Sequence, residues 1–358
     1  MVSALFLFVQ NRFSARALVA QLSALLLVAL GLAACAPDKE TWKLTGPTMG
    51  TSYHITVVDV SAGGTRGELT RGELKGLVDA ELAAVNQEMS TYIPDSELMR
   101  FNRAAVGEEV TVSPHLAEVV ARALDIYRQS DGAFDVTVGP LVNLWGFGPS
   151  PEPETIPSDD EIAALRAVLG SDALNLQGAI LSKKRPVEID LSAIAKGHGV
   201  DRVAELLEAK GIENYLVEVG GELRTAGVNP QGKPWRIGVE RPSGGQVVQK
   251  PIAVSGKAVA TSGDYRNYYE RDGKRYAHTI DPRSGRPVEH RLASVTVIAE
   301  TCAEADGYAT ALNVIGADAA LKLAEEQNLA VFLLVKTDSG FEERSSSAFL
   351  PYLESQGR

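Results

Sequence analysis

Asp306 and Thr310 stand four residues apart in the stretch EADGYAT. On a helix that spacing stacks a carboxylate and a hydroxyl one turn apart on one face. Both are hard oxygen donors, so the pair reads either as the two side chains of a metal site or as the polar face of a surface helix. Three further segments are dense in residues that secondary structure alone does not require. DGAFDVTVGPLVNLWGFG (131–148) offers Gly132, Gly139, Gly146 and Gly148 for tight turns or close approach of a ligand. Its Phe134, Trp145 and Phe147 either stack on a planar ring or fill a core. DLSAIAKGHGVD (190–201) gathers Asp190, Ser192 and Lys196 at a helix start. Free N–H groups there favour phosphate, and a lysine adds a point charge; alternatively Asp190 or Ser192 only caps the helix. SGDYRNYYERDGKRYAHTIDPRSGRP (262–287) sets Tyr265, Tyr268, Tyr269 and Tyr276 about a hairpin, then His278, Asp281, Arg283 and Arg286 in an irregular loop. His278 is a candidate general base or a structural histidine. HExxH, CxxC, Walker A, GxSxG and GxGxxG do not occur in the sequence, so the common zinc, P-loop, hydrolase and dinucleotide motifs have no support.

These segments need elements to position them. TSYHITVVDV alternates as a strand. Residues 71–89 have helical periodicity, and a second helix opens at Ser113 with Pro114 in its first turn and closes at Gly132. After a Pro-rich loop, Ser158 and Glu161 form a capping box for a helix to about Leu169. VEID reads as a strand running into a helix from about Ala193 to Lys210, stopped by Gly211. NYLVEV, WRIGVE, AVATS, SVTVIA and AVFLLV read as strands, and Asp272-Gly273 as a hairpin turn. Helices early and strands of antiparallel type late predict an α+β fold rather than a doubly wound parallel sheet. No internal repeat or clean linker divides the chain.

The chain has 358 residues, enough for one large domain or two modest ones. Residues 1–34 carry only Arg12 and Arg16 as charges, followed by an apolar run, 17–34, ending in Leu-Ala-Ala-Cys. This reads as a secretory signal cut before Cys35, with residues 36–47 as a linker; a permanent membrane anchor is the alternative. Without residues 1–34 the formal charge is −13, and the longest basic run is Lys183–Arg185, so nucleic acid is not an expected partner. Cys302 is then the only thiol left besides Cys35, which leaves no internal disulfide if Cys35 is lipidated.

Taken together, seven stretches resemble the ApbE family of FAD:protein FMN transferases, in the family's order and spacing. They are STYIPDSELMRFN, DGAFDVTVGPLVNLWGFG, DLSAIAKGHGVD, VEVGGELRTAG, TSGDYRNYY, HTIDPRSGRP and EADGYATAL. The resemblance runs from Thr48 to about Val335 and implies one flavin transferase domain over 48–350, of T-fold-related α+β architecture with a largely antiparallel sheet and packed helices. It implies contacts to FAD from Met49, Tyr92, Ala133, Phe134, Asp135, Asp190, Lys196 and Ile280. Mg²⁺ would be held by the backbone oxygen of Ala193 and the side chains of Asp306 and Thr310, with His278 as general base. Relatives often carry a second acidic residue just before the threonine; here that position is Ala309. The family's members are typically periplasmic lipoproteins, which agrees with a lipidated Cys35. The acceptor hydroxyl would belong to a Thr or Ser of a membrane electron-transport subunit, such as one of the sodium-pumping NADH:quinone reductase. FAD hydrolysis to FMN and AMP, or flavin binding without chemistry, are the alternatives.

Overall fold

The computed structural model describes residues 40–58, 69–148, 155–240, 248–263 and 268–353. Cys35 with the apolar run before it, Tyr265, and residues 149–154 of the Pro-rich loop lie outside these residues. The described chain opens on an antiparallel pair, β1 (Thr41–Thr48) and β2 (Thr51–Val58). Sequence reading made 36–47 a linker, but 41–47 are strand. Helices α1 (Arg71–Met89) and α2 (Glu97–Arg103), the short strand β3 (Val110–Thr111) and α3 (Pro114–Gln129) follow. Ser113 caps α3 by accepting from Leu116 N–H at 3.1 Å, and Gly132 closes the far end by donating to Tyr127 O at 2.9 Å.

Two short helices, α4 (Gly139–Leu144) and α5 (Asp159–Arg166), lead to the hairpin β4 (Leu174–Gln177) and β5 (Ile180–Lys183). The capping box at Ser158 and Glu161 is present, although α5 ends at Arg166 rather than near Leu169. Helix α6 (Ala195–Ala209) precedes β6 (Tyr215–Val219) and β7 (Glu222–Ala226). VEID is not a strand: Val187 and Ile189 are buried, and the Asp190 N–H donates to Val136 O at 2.7 Å. The chain continues through β8 (Trp235–Glu240), β9 (Val248–Val254) and β10 (Ala258–Gly263). The hairpin β11 (Tyr268–Arg271) and β12 (Lys274–Ala277) turns at Asp272 and Gly273, whose φ of 53° and 73° fit the expected two-residue turn. A two-residue pair, β13 (Ile280–Asp281) and β14 (Arg286–Pro287), is followed by β15 (Leu292–Ala299). Helices α7 (Cys302–Ile315) and α8 (Ala317–Glu326) and strands β16 (Ala330–Thr337) and β17 (Gly340–Ser345) complete the fold.

Eight strands form one sheet in the order β1-β2-β6-β7-β10-β15-β16-β17, antiparallel at every pairing. This is the expected α+β arrangement. One core gathers α3, α7 and β15 through side chains such as Val120, Leu312 and Val297; a second gathers α1, α6, β2 and β6. A third, with Ile252, Val259, Phe332 and Phe349, joins the β8–β9 hairpin to the sheet. Strand β15 is buried along seven of its eight residues, which explains its nearly unbroken apolar run. Among the described residues no helix is long and apolar enough to cross a membrane.

Candidate functional site

The site is built where α6 meets α7. Eleven of the fourteen residues of α7 are buried, so the surface-helix reading of EADGYAT does not hold. Close approach of the two helices depends on Gly197. A Cβ there would fall 2.3 Å from Cys302 O and 2.7 Å from Ala303 N. Asp201 of α6 braces the same crossing by accepting from the N–H groups of Cys302 and Ala303, both at 2.9 Å. It thus satisfies two of the donors that a helix start leaves open. Arg224 of β7 completes this brace at 3.1 Å from Asp201.

Asp306 is 5% exposed and sits at the centre of the crossing. Its Oδ2 accepts from Gly197 N–H at 3.0 Å. In a regular first turn of α6 that N–H would donate to Ala193 O. Among the described residues no backbone N–H donates to Ala193 O instead, so this carbonyl keeps its acceptor capacity. Lys196 lies between two carboxylates, 2.6 Å from Glu222 Oε1 and 3.9 Å from Asp306 Oδ1. Burial opposes its charge, but Asp306 and Glu222 more than offset this and hold the ammonium above its ordinary pKa. Burial raises Asp306, against the pull of Lys196 and the Gly197 N–H. Burial and the Asp306 charge push Glu222 up to about 7, against the same lysine. The second oxygen of Glu222 is buried without a hydrogen-bond partner. Two crowded carboxylates, one half-used, a carbonyl with spare capacity and the Thr310 hydroxyl a turn beyond Asp306 form an all-oxygen donor set. Such a set fits a hard divalent cation. Among the described residues no group of three or more His, Cys, Asp or Glu suited to a metal comes together, so a thiolate or imidazole site of the zinc type has no place there.

The opposite wall comes from 131–148 and the loop after β12. Asp135 Oδ1 accepts from Thr137 N–H (2.8 Å), Thr137 Oγ (2.7 Å) and Ser171 Oγ (2.7 Å), which fixes the loop carrying Ala133 and Phe134. Asp190 Oδ1 likewise accepts from Ser192 N–H at 2.8 Å and Ser192 Oγ at 2.5 Å. Neither residue caps α6, whose N-cap position is Ile194, so the cap reading is excluded. Trp145 donates from Nε1 to Gly285 O at 2.8 Å and stacks on Tyr276, which stacks on Tyr269, which stacks on Phe147. Phe147 meets His278 edge-on at 6.4 Å between centroids. These rings pack on one another, so they serve as the wall that aims His278. The chain has five histidines, and only His278 lines the cavity. His198 is buried beside His115, and burial holds its pKa down to about 3.

The helix crossing and the facing loops enclose one cavity of about 620 Å³. Its lining includes Tyr92, Ala133, Phe134, Asp135, Asp190, Ala193, Lys196, His278, Ile280, Asp306 and Thr310. Tyr92 is 71% exposed and stands at the rim. Met49 is the exception among the sequence-predicted site residues. It occupies the β1–β2 turn at a φ of 47°, lies against α6 near Gly199 and does not line the cavity. Sequence reasoning passed over Glu222, Gly197 and Asp201. Glu222 and Asp201 lie inside motifs already singled out, and a carboxylate directly after Gly220-Gly221 was the one available sign of the former.

A profile of the ApbE family matches residues 49–333. The chain is 48% identical over 324 residues to the FAD:protein FMN transferase of Vibrio cholerae, covering 90% of this chain and 96% of the relative. It is 47% identical over 337 residues to that of Haemophilus influenzae, covering 92% and 96%. The fold superposes on the solved flavin transferase ApbE of Vibrio cholerae with a TM-score of 0.81 at 47% identity, over 88% of this chain and 100% of the other. It superposes on the apo flavinyl transferase ApbE of Pseudomonas stutzeri with a TM-score of 0.82 at 41% identity, over 90% and 100%. A family profile over residues 49–333 and relatives up to 48% identical across most of the sequence make the chain a member of the ApbE family.

Proposed function

We propose that this protein transfers FMN from FAD to a Thr or Ser hydroxyl of a partner protein and releases AMP, with Mg²⁺ held by Ala193 O, Asp306 and Thr310. The observation that carries this reading is the cavity itself: four distant segments converge on it and place a cation-fitting donor set and His278 along one wall system. The relatives named FAD:protein FMN transferase support it. FAD is FMN joined to AMP through a pyrophosphate. The acceptor oxygen forms a new bond to the FMN phosphorus while the bond to the bridging oxygen breaks and AMP leaves with it. Such displacement needs positioning and charge neutralisation more than covalent help from the protein. A bound Mg²⁺ supplies polarisation of phosphoryl oxygens. Lys196 adds positive charge beside the phosphates. His278 takes the acceptor hydroxyl proton as general base. The loop held by Asp135 and the ring stack orient the flavin and exclude water.

The full chain incubated with FAD, Mg²⁺ and a candidate acceptor domain is expected to add one FMN mass to the acceptor. AMP release that is fast without acceptor, with no mass gain on any acceptor, would overturn the reading in favour of hydrolysis. In the same assay His278→Ala is expected to slow transfer about 10²- to 10⁴-fold while FAD affinity stays within about threefold. An unchanged rate removes the base role. The acceptor is proposed to be a subunit of a membrane electron-transport complex, reached by a chain tethered on the periplasmic side. Cys35 in LAAC supports lipidation, and acyl chains contribute about 0.8 kcal/mol per buried methylene. Cys35→Ser is expected to lose palmitate labelling and to leave the membrane fraction; retention of both argues for another anchor.

A further inference from the structure

Glu222 lines the cavity but is not among the proposed cation ligands. It is 5% exposed, follows the Gly220–Gly221 turn of β7, and spends one oxygen on Lys196 at 2.6 Å. The Lys196 stem passes beside Gly220, which has no side chain to crowd it, and its ammonium has Asp306 as the alternative anion, 3.9 Å away. An ammonium resting fully on Asp306 would neutralise the one anionic ligand that α7 supplies, and Ala309 offers no second one. The three side chains together carry a net charge of −1 with Glu222 ionised, and zero without it.

We propose that Glu222 is a positioning residue of the cation site: it draws the Lys196 ammonium off Asp306 and so keeps that carboxylate available to a divalent ion. The proposal rests on the assignment of Asp306 as a cation ligand. Glu222 thereby restores from β7 the charge that Ala309 leaves out of α7. Unit charges at short range in a poorly solvated site interact strongly, so loss of this partner is read out as loss of metal affinity.

The test is Mn²⁺ binding to the full chain in detergent at pH 8, followed by electron paramagnetic resonance without FAD. Glu222→Gln is expected to weaken Mn²⁺ binding at least about tenfold, which corresponds to about 1.4 kcal/mol. Lys196→Met combined with Glu222→Gln, which restores the net charge of −1, is expected to return the affinity to within about threefold of the unmodified chain. Glu222→Asp keeps the anion and keeps binding at a similar level. Melting curves establish that each variant is folded, and the double variant carries the decision should Glu222→Gln not fold. Equal binding by Glu222→Gln, or no recovery in the double variant, overturns the proposal while leaving Asp306 as a ligand. No Mn²⁺ binding to the unmodified chain overturns both.

Discussion

Asp306→Ala is expected to lower FMN transfer at least about 10³-fold, the scale of losing one preorganised electrostatic partner of a phosphoryl transfer. The carboxylate is buried, and its own burial disfavours its charge. In the fold without metal it is therefore a liability, held ionised by Lys196 and by the Gly197 N–H. Its raised pKa means that any stability it contributes is lost as pH rises, but Asp306→Ala also strips the Gly197 N–H and Lys196 of this acceptor, so the metal-free fold is expected to lose about 1 to 3 kcal/mol. Stability contributed by cation binding, by contrast, should vanish. The signature is thus a melting temperature that rises with Mg²⁺ for the unmodified chain and stays flat for Asp306→Ala. Asp306→Asn keeps an acceptor for Gly197 N–H and should fold equally well, yet show the same flat response. A variant that still gains stability from Mg²⁺ and transfers FMN at the normal rate would remove Asp306 from the site.

Gly197→Ala is expected to be strongly destabilising. The atoms it would strike are backbone atoms of Cys302 and Ala303, at 2.3 to 2.7 Å, and backbone cannot swing aside. The two helices must separate, and overpacking of this kind costs about 3 kcal/mol or more. For a domain of this size that corresponds to a fall in melting temperature of about 5 °C. Separation also breaks the Gly197 to Asp306 hydrogen bond, so response to Mg²⁺ should decline together with stability. Gly199→Ala is the control two residues on. Its Cβ would meet the end of the flexible Met49 side chain at 2.8 Å, which can yield. Similar melting temperatures for the two variants would show that the crossing is looser than its geometry.

Much of this site was legible in the sequence because its motifs are local. Asp306 and Thr310 share one helix, and His278 follows a hairpin whose turn residues announce themselves. What could not be read is what distance in the chain hides. Glu222 sits in GGELR, where a glutamate reads as one more outward strand residue; only the packing of α6 and α7 buries it. Strand β1 was taken for linker because Gly46 and Pro47 interrupt it and few of its positions face the core. It is an edge strand, where proline is tolerated, and Gly46 is required by Tyr53, whose ring would lie 2.6 Å from any Cβ. VEID departs in the other direction: two buried β-branched residues suggest a strand, but their backbone groups find side-chain partners instead, Asn102 for the N–H and C=O of Ile189 and the Lys183 ammonium for Val187 O.

The brace from Asp201 to the start of α7 has a consequence for how the molecule is made. Its partners lie 101 and 102 residues downstream. The helix that bears Ala193 and Lys196 at its beginning therefore waits, during synthesis, for most of the sheet to be threaded before the helix bearing Asp306 can dock on it. Contacts of such long range form late. On the proposed assignment of Asp306, the cation site closes only once both helices are made, so ion loading is tied to completion of the domain rather than to early translation.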